Sequence, residues 1–333
     1  MAYRPRANAD NFLYIRVIVP VLAALLTLLG VAQAAEKVTF LLPAQLYRPA
    51  LSPWVLAKER HYYADEGLDL TFQTVTGGAE VAKQVGAGNA ALGEAVADAT
   101  IIVRANGVPV KAVGLIGGGS FTQLIVREDG PIHAPADLKG RTITVFAYQD
   151  TTYYALLGAL AGAGLTKNDV DIVAGGPTNT WTMFVDKKSD AMGVAPDYIA
   201  YVTKAGVKVR VIPISRYFPT MAQTILASDE LIAKNPALIR KVVRATLRGM
   251  ADILKDPDSA THDFVKATPE NADREPELRQ VIGYYTKYVF GGQTTPGEID
   301  AARLAKLQDY YVAQHIVDKA VPVTDLYSNA FVK

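Results

Sequence analysis

Covalent chemistry needs nucleophiles, acids or metal ligands at defined spacings, and this chain offers few. It has no cysteine, which removes disulfides, thiolate zinc sites, iron–sulfur clusters and cysteine nucleophiles together. Its histidines, His61, His133, His262 and His315, are scattered, and none pairs at the three- or four-residue spacing of a helix-borne metal site. No G-x-S-x-G elbow, Walker A sequence or G-x-G-x-x-G after a strand occurs, and Gly117-Gly118-Gly119 lacks the lysine and following helix of a phosphate loop. Asp65 and Glu66 are adjacent, which suits a solvated helix end better than acid/base work. The expectation is therefore no catalysis, no metal and no cofactor. What the chain does offer is a set of polar and aromatic residues placed just after short apolar runs. These are Gln45, Tyr47 and Trp54; Gly77 and Gly78; Glu94 and Asp98; Gln149, Thr151, Thr152 and Tyr153; Trp181; and Asp197. Such types suit stacking on a flat or partly apolar solute with one or two polar anchors. Competing roles exist: Trp54 can plug a core, and Asp98, Asp197 and Thr151-Thr152 can cap helices. Arg48 suits a sulfonate or carboxylate if it faces a cleft. The tandem pairs Tyr62-Tyr63, Tyr284-Tyr285 and Tyr310-Tyr311 read as helix packing away from that edge.

These residues need elements to carry them. Lys37–Leu42 reads as a buried strand; a helix is expected over 54–63, a strand over 68–75, a helix over 79–85, a strand at 91–93, a helix over 97–106 and a strand over 110–116. That is the alternation of an open parallel sheet covered by helices. It restarts near Phe121 with strands near 123–126, 142–146, 170–173, 191–194 and 207–212, and helices over 151–163, 178–186 and 197–204. Beyond Thr220 the chain reads as helical apart from one apolar run at 221–227, with a long amphipathic helix over 236–254 and shorter ones over 259–266, 277–289 and 298–314. A helical tail after two sheets must pack on one of them, and the first is the larger apolar partner. The expected division is residues 35–122 with 223–333 as one discontinuous lobe and 123–222 as the other, the crossings lying at Gly119–Gln123 and Tyr217–Gln223.

A length of 333 residues suits two domains. Half of the residues are hydrophobic and 20% charged, a composition that folds compactly. Lysine plus arginine total 34 against 33 acidic residues, so no global basic field exists to hold nucleic acid. Arg4, Arg6 and Arg16 precede an apolar run over 17–32 ending in Ala32-Gln33-Ala34, the pattern of a cleavable secretory signal peptide over 1–34. The run contains Pro20 and Gly30 and is short for a membrane span. With no cysteine to lipidate, the product is expected free in the periplasm.

The segments Glu66-Gly67-Leu68-Asp69-Leu70, Gly77-Gly78, Gly86 to Gly93 and Ala105 to Val110 resemble the first lobe of extracytoplasmic solute-binding proteins for nitrate, sulfonates, taurine and thiamine-pyrimidine precursors. Ala136-Asp137-Leu138-Lys139-Gly140-Arg141-Thr142-Ile143 is similar to that family's entry to the second sheet, with Gly164-Leu165, Asp169-Val170, Asp190-Ala191 and Ala195-Pro196 following. The chain departs from the pattern at Ala91, where members often carry Asp, and at Lys188, where Gly is common. The resemblance implies a two-lobed α/β clamp of type II-like periplasmic binding proteins. Each lobe would be an open, mostly parallel sheet covered by helices, with C-terminal helices added. It implies a monomer that captures a sulfonate- or taurine-like anion, or a pyrimidine-type precursor, and delivers it to an ABC permease in the inner membrane. Two rivals stand beside it: a thiamine-pyrimidine-precursor synthase-like enzyme, whose eukaryotic members look to depend on a cysteine cluster and on lysine and histidine, and a periplasmic sensor partner binding the same ligand class.

Overall fold

The computed structural model describes Met1, residues 34–148 and residues 150–332. The expected leader falls almost wholly outside the described residues, and so does Gln149. No helix among the described residues is long and apolar enough to cross a membrane.

Among the described residues, ten strands form two sheets. They are β1 (Glu36–Leu42), β2 (Leu68–Thr74), β3 (Leu92–Val96), β4 (Val110–Ile116), β5 (Gln123–Arg127), β6 (Thr142–Val145), β7 (Asp171–Ala174), β8 (Ala191–Val194), β9 (Val209–Pro213) and β10 (Gln223–Ser228). One sheet runs β2-β1-β3-β10-β4 and the other β7-β6-β8-β5-β9. The expected alternation of strand and helix is present, but each sheet is mixed. β1 is parallel to β3, and β6 to both β7 and β8, whereas β10 is antiparallel to β3 and β4, and β5 to β8 and β9. The reversed strands are the two that follow a crossing between sheets. A chain leaving one sheet at the carboxyl ends of its strands enters the other at the facing edge, so its first strand must run back against its neighbours. Gln223 accordingly lies opposite Val96 and Ile116, at the ends of β3 and β4. Gln123 lies opposite Val194 and Pro213, at the ends of β8 and β9. Two buried glutamines therefore open the reversed strands at the edge where open α/β sheets bind ligands.

Local differences from the sequence expectations have physical causes. The apolar run at 221–227, expected amid the helical tail, is strand β10, central in the first sheet. Its β-branched Thr224 and Ile225 are buried on opposite faces. The helix expected over 54–63 ends at Glu59, because His61 adopts a left-handed conformation before a second turn begins at Tyr62. The long helix Pro236–Lys255 opens with Asn235, whose side chain accepts from the Leu238 amide at 3.1 Å. It buries Ile239, Val242, Val243, Met250 and Ile253 against helix Ser52–Glu59 and β4. Helix Glu275–Tyr285 loosens into one π-turn, Thr286–Phe290.

That turn meets the crossings. The Gly118 and Gly119 amides donate to the Gly291 and Val289 carbonyls, both at 3.0 Å. A Cβ on Gly119 would fall inside the Tyr288 carbonyl oxygen. From helix Ala301–Ala313, Arg303 donates to the carbonyls of Gly118 (2.8 Å), Gly119 (3.0 Å), Pro219 (3.3 Å) and Thr220. Ser120 and Thr220 join their hydroxyls across the two segments. Both crossings are thus pinned to the helical tail. Gly119→Ala is expected to lower the midpoint of thermal unfolding by more than about 5 °C, since a backbone clash costs several kcal/mol and each lowers Tm by roughly 2–4 °C at this size. A melt followed by circular dichroism checks this, and an unchanged midpoint would show that the approach is not tight.

Candidate functional site

The residues beyond the strand ends converge on a charged cluster between the two sheets. Arg48 follows β1, and Asp197 opens helix Asp197–Lys204 after β8. They form an ion pair with Nη2 to Oδ2 at 2.8 Å. The pair is lopsided: the Arg48 side chain is 41% exposed and that of Asp197 7%. Asp197 holds the Arg48 guanidinium above its ordinary value. The aspartate is not a side-chain cap; Pro196 is the N-cap, and Asp197 Oδ1 has no partner.

Glu94 lies within β3, buried at 1% exposure, and burial pushes its carboxyl up to about 8 against the opposing effect of a hydrogen bond from Gln223. Asp98 opens the helix after β3. Burial raises it to about 6, opposed chiefly by the Tyr311 hydroxyl, which donates to Oδ2 at 2.6 Å. Asp150 caps helix Thr151–Gly162, accepting from the Tyr153 amide at 2.8 Å and the Thr152 hydroxyl at 2.7 Å, and burial raises it as well. Tyr198, pushed up to about 12 chiefly by burial, senses Arg48, Asp197 and Asp150. Tyr285, wholly buried, is raised well above a tyrosine's ordinary value by burial, then by Asp197, with Glu94 adding to it. Four acidic side chains, Glu94, Asp98, Asp150 and Asp197, thus share one region with a single guanidinium among the described residues, and that guanidinium is already paired.

Unpartnered buried atoms cluster in the same place. Ser52 Oγ, Trp54 Nε1, Glu94 Oε2, Asp98 Oδ1, Gln123 Oε1, Asp197 Oδ1, Gln223 Oε1 and the Tyr285 hydroxyl lack hydrogen-bond partners. Arg127 Nη1 and Asp229 Oδ1 are likewise unpartnered, away from these residues; native interiors rarely leave such groups unsatisfied. Tyr148, Tyr153, Tyr154 and Tyr311 contact ring to ring with centroids 5.6–5.7 Å apart, leading from the surface to Asp98. No group of acidic or histidine side chains that could hold a metal occurs among the described residues.

The sequence candidates divide. Glu94, Asp98 and Asp197 are in the cluster, as is Arg48; Trp54 is fully buried with its indole N–H unpartnered. Thr152 and Tyr153 bond to Asp150, which caps the helix in place of the Thr151-Thr152 pair. Gln45 is exposed, and Tyr47 is 36% exposed with its carbonyl bonded to Asn271. Gly77 is the N-cap of helix Gly78–Gly86, and Gly78 seats that helix on Ala95. Trp181, expected at a helix start, lies midway along helix Gly176–Val185 because Gly176-Pro177 begins it earlier, and its ring stacks on Tyr201 in the second sheet's core. The reading of Tyr285 and Tyr311 as packing away from the cleft edge is corrected: Tyr311 bonds Asp98 and Tyr285 faces Asp197. Gln123, Gln223 and Asp150 had no motif to reveal them, although Asp before a Thr-Thr start is a cap signal.

The family profile described as NMT1/THI5 like matches residues 48–260. The chain belongs to the NMT1/THI5-like family. Within reach of that family, the chain is 28% identical over 287 residues to the riboflavin-binding protein RibY of Chloroflexus aurantiacus, covering 84% of this chain and 82% of that protein. It is 25% identical over 273 residues to the 4-amino-5-hydroxymethyl-2-methylpyrimidine phosphate synthase THI5 of Saccharomyces cerevisiae, covering 75% of each. The periplasmic aliphatic sulphonate binding protein SsuA of Escherichia coli superposes with a TM-score of 0.72 at 20% identity, over 89% of this chain and 93% of that one. The two-lobed α/β fold of periplasmic binding proteins is thereby shared.

The ion pair makes an asymmetric prediction. Arg48→Ala leaves Asp197 buried and unpaired, whereas Asp197→Ala leaves a half-exposed guanidinium that water can solvate. Urea denaturation of the unliganded protein is expected to show the larger loss for Arg48→Ala, with the double variant recovering part of it. Equal losses would contradict the burial argument.

Proposed function

We propose that the protein is the extracytoplasmic solute-binding component of an ABC importer, and that its ligand is a neutral or cationic heteroaromatic solute of pyrimidine or flavin type. The observation that carries this reading is the acidity of the cluster: Asp98, Asp150, Asp197 and a protonated Glu94 lie there with one guanidinium, which Asp197 already engages. An anion such as taurine's sulfonate would need Arg48 to leave Asp197 and would face the remaining carboxylates at low dielectric. A flat ring with N–H groups would instead satisfy the unpartnered acceptors and use the tyrosines for stacking. The riboflavin that RibY is named for binding and the pyrimidine that the yeast synthases are named for making share this ring chemistry. In this reading the lobes are residues 35–122 with 223–333 and residues 123–222. They close about the segments pinned by Arg303, and the leader over 1–34 is removed to leave a periplasmic monomer that delivers its solute to a membrane permease. Binding without turnover is favoured over the synthase alternative by the absence of cysteine and by the exposed positions of His61, His133, His262 and His315.

A thermal-shift panel tests this. 4-Amino-5-hydroxymethyl-2-methylpyrimidine or riboflavin is expected to raise the melting midpoint by several degrees at a concentration about 100 times Kd, where binding to the native state adds about 2.7 kcal/mol. Taurine, nitrate and alkanesulfonates are expected to leave it unchanged. Stabilisation by the anions alone would overturn the reading.

A further inference from the structure

Glu94 and Gln223 occupy adjacent strands of the first sheet. In the register, Glu94 lies opposite Ile225 and Gln223 opposite Val96. Side chains two apart share a face, so Glu94 and Gln223 are diagonal neighbours on one side of the sheet. Gln223 Nε2 donates to the Ala50 carbonyl at 3.0 Å, and the Gln223 amide lies near enough to the Glu94 carboxyl to oppose the rise that burial causes. That leaves two atoms without partners, Gln223 Oε1 and Glu94 Oε2, both on side chains more than nine-tenths buried. The Ser52 hydroxyl and Trp54 indole N–H, from the helix that follows Ala50, are likewise buried and unpartnered.

We propose that Glu94 is a specificity-determining residue that enters the complex as a neutral carboxylic acid, its Oε2–H donating to a ring acceptor while Gln223 Oε1 accepts from the neighbouring N–H of the same ligand edge. This rests on the binding-protein reading above and narrows it to heterocycles with an acceptor next to a donor, such as an aminopyrimidine or the imide edge of a flavin. A carboxylate at this position would present only acceptors, and a donor-less floor would repel the ring nitrogen.

The surroundings keep the acid neutral at ordinary pH. The first cause is burial, and Gln223 opposes it only in part. Around Glu94, Tyr285 is itself raised by burial and stays uncharged, while the Arg48 guanidinium is engaged by Asp197. Asp98, which opens the helix after β3, is held by Tyr311. Helix Gly78–Gly86, packed on β3, carries Glu80, bonded to Gln84, and the exposed Lys83; β10 carries no titratable side chain. Because the folded carboxyl titrates near 8, the donor is present below that pH and is lost as pH rises through it.

Isothermal titration with riboflavin and with 4-amino-5-hydroxymethyl-2-methylpyrimidine, at pH 6.5 and pH 9.5, tests the assignment on the full-length secreted protein. Wild-type affinity for a bound probe is expected to fall at least about tenfold at the higher pH, since each unit above the carboxyl's pKa removes roughly tenfold of the neutral form. Glu94→Gln keeps a donor and an acceptor at all pH values; it is expected to bind within about threefold of wild type at pH 6.5 and to lose the extra pH dependence. Glu94→Ala is expected to lose at least about tenfold at pH 6.5. Any pH dependence of the probe itself persists in Glu94→Gln and is subtracted by it. An equal pH response in wild type and Glu94→Gln, or full affinity in Glu94→Ala, would overturn the role of Glu94 while leaving the binding-protein reading intact. Failure of wild type to bind either probe would instead overturn the reading on which it rests.

Discussion

Four acidic side chains crowd the space between the sheets, and like charges in a low-dielectric interior repel strongly. The protein holds them there by three different means. Asp197 is paired with Arg48 across the lobes. Asp98 and Asp150 are held by hydrogen bonds, the first from Tyr311 and the second from the amides and hydroxyl at the start of a helix, where the helix dipole also favours negative charge. Glu94 has only Gln223 and remains protonated because burial disfavours its charge. Asp197 Oδ1, Asp98 Oδ1 and Glu94 Oε2 are each left without a partner by these arrangements.

The topology makes this crowding possible. Strands that end at a shared edge deliver Arg48, Glu94 with Asp98, Asp150 and Asp197 from four separate places in the chain, while the two reversed strands begin at the same edge with Gln123 and Gln223. The crossings that create the reversal are fixed to the C-terminal helices by Arg303 and by glycines that admit the backbone of the π-turn. Those helices also return Tyr285 and Tyr311 to the cleft. A tail that looks like a packing element therefore supplies two hydroxyls of the site and anchors the segments about which the lobes would move.

The alternation of strand and helix was legible in the residues because apolar runs of five or six are separated by Gly, Pro and capping residues, and positions just past those runs lead to the cleft in this architecture. That logic reached Glu94, Asp98 and Asp197. It did not reach Tyr285 or Tyr311, because a tyrosine on an amphipathic helix carries no local sign of its partner, and Tyr311 meets Asp98 across 213 residues of chain. It misplaced Trp181 because the Gly-Pro start of that helix was overlooked. The run at 221–227 could not be assigned from its neighbours, since a returning strand inside a helical tail has no periodic partner nearby. Charge pairing was equally hidden: Arg48 and Asp197 are 149 residues apart, and only the fold shows that the one cleft guanidinium is not free for an anion.

A functional consequence follows from that pairing. Under the proposed reading, a cluster whose cation is occupied and whose acids outnumber it would select by hydrogen-bond pattern and stacking. The most direct test is a crystal structure of the protein with a bound heteroaromatic solute. The account predicts ring density within hydrogen-bond distance of Glu94 and Gln223 with Arg48 still on Asp197; an anion seated on Arg48 with Asp197 displaced, or a ligand bound outside this cluster, would contradict it.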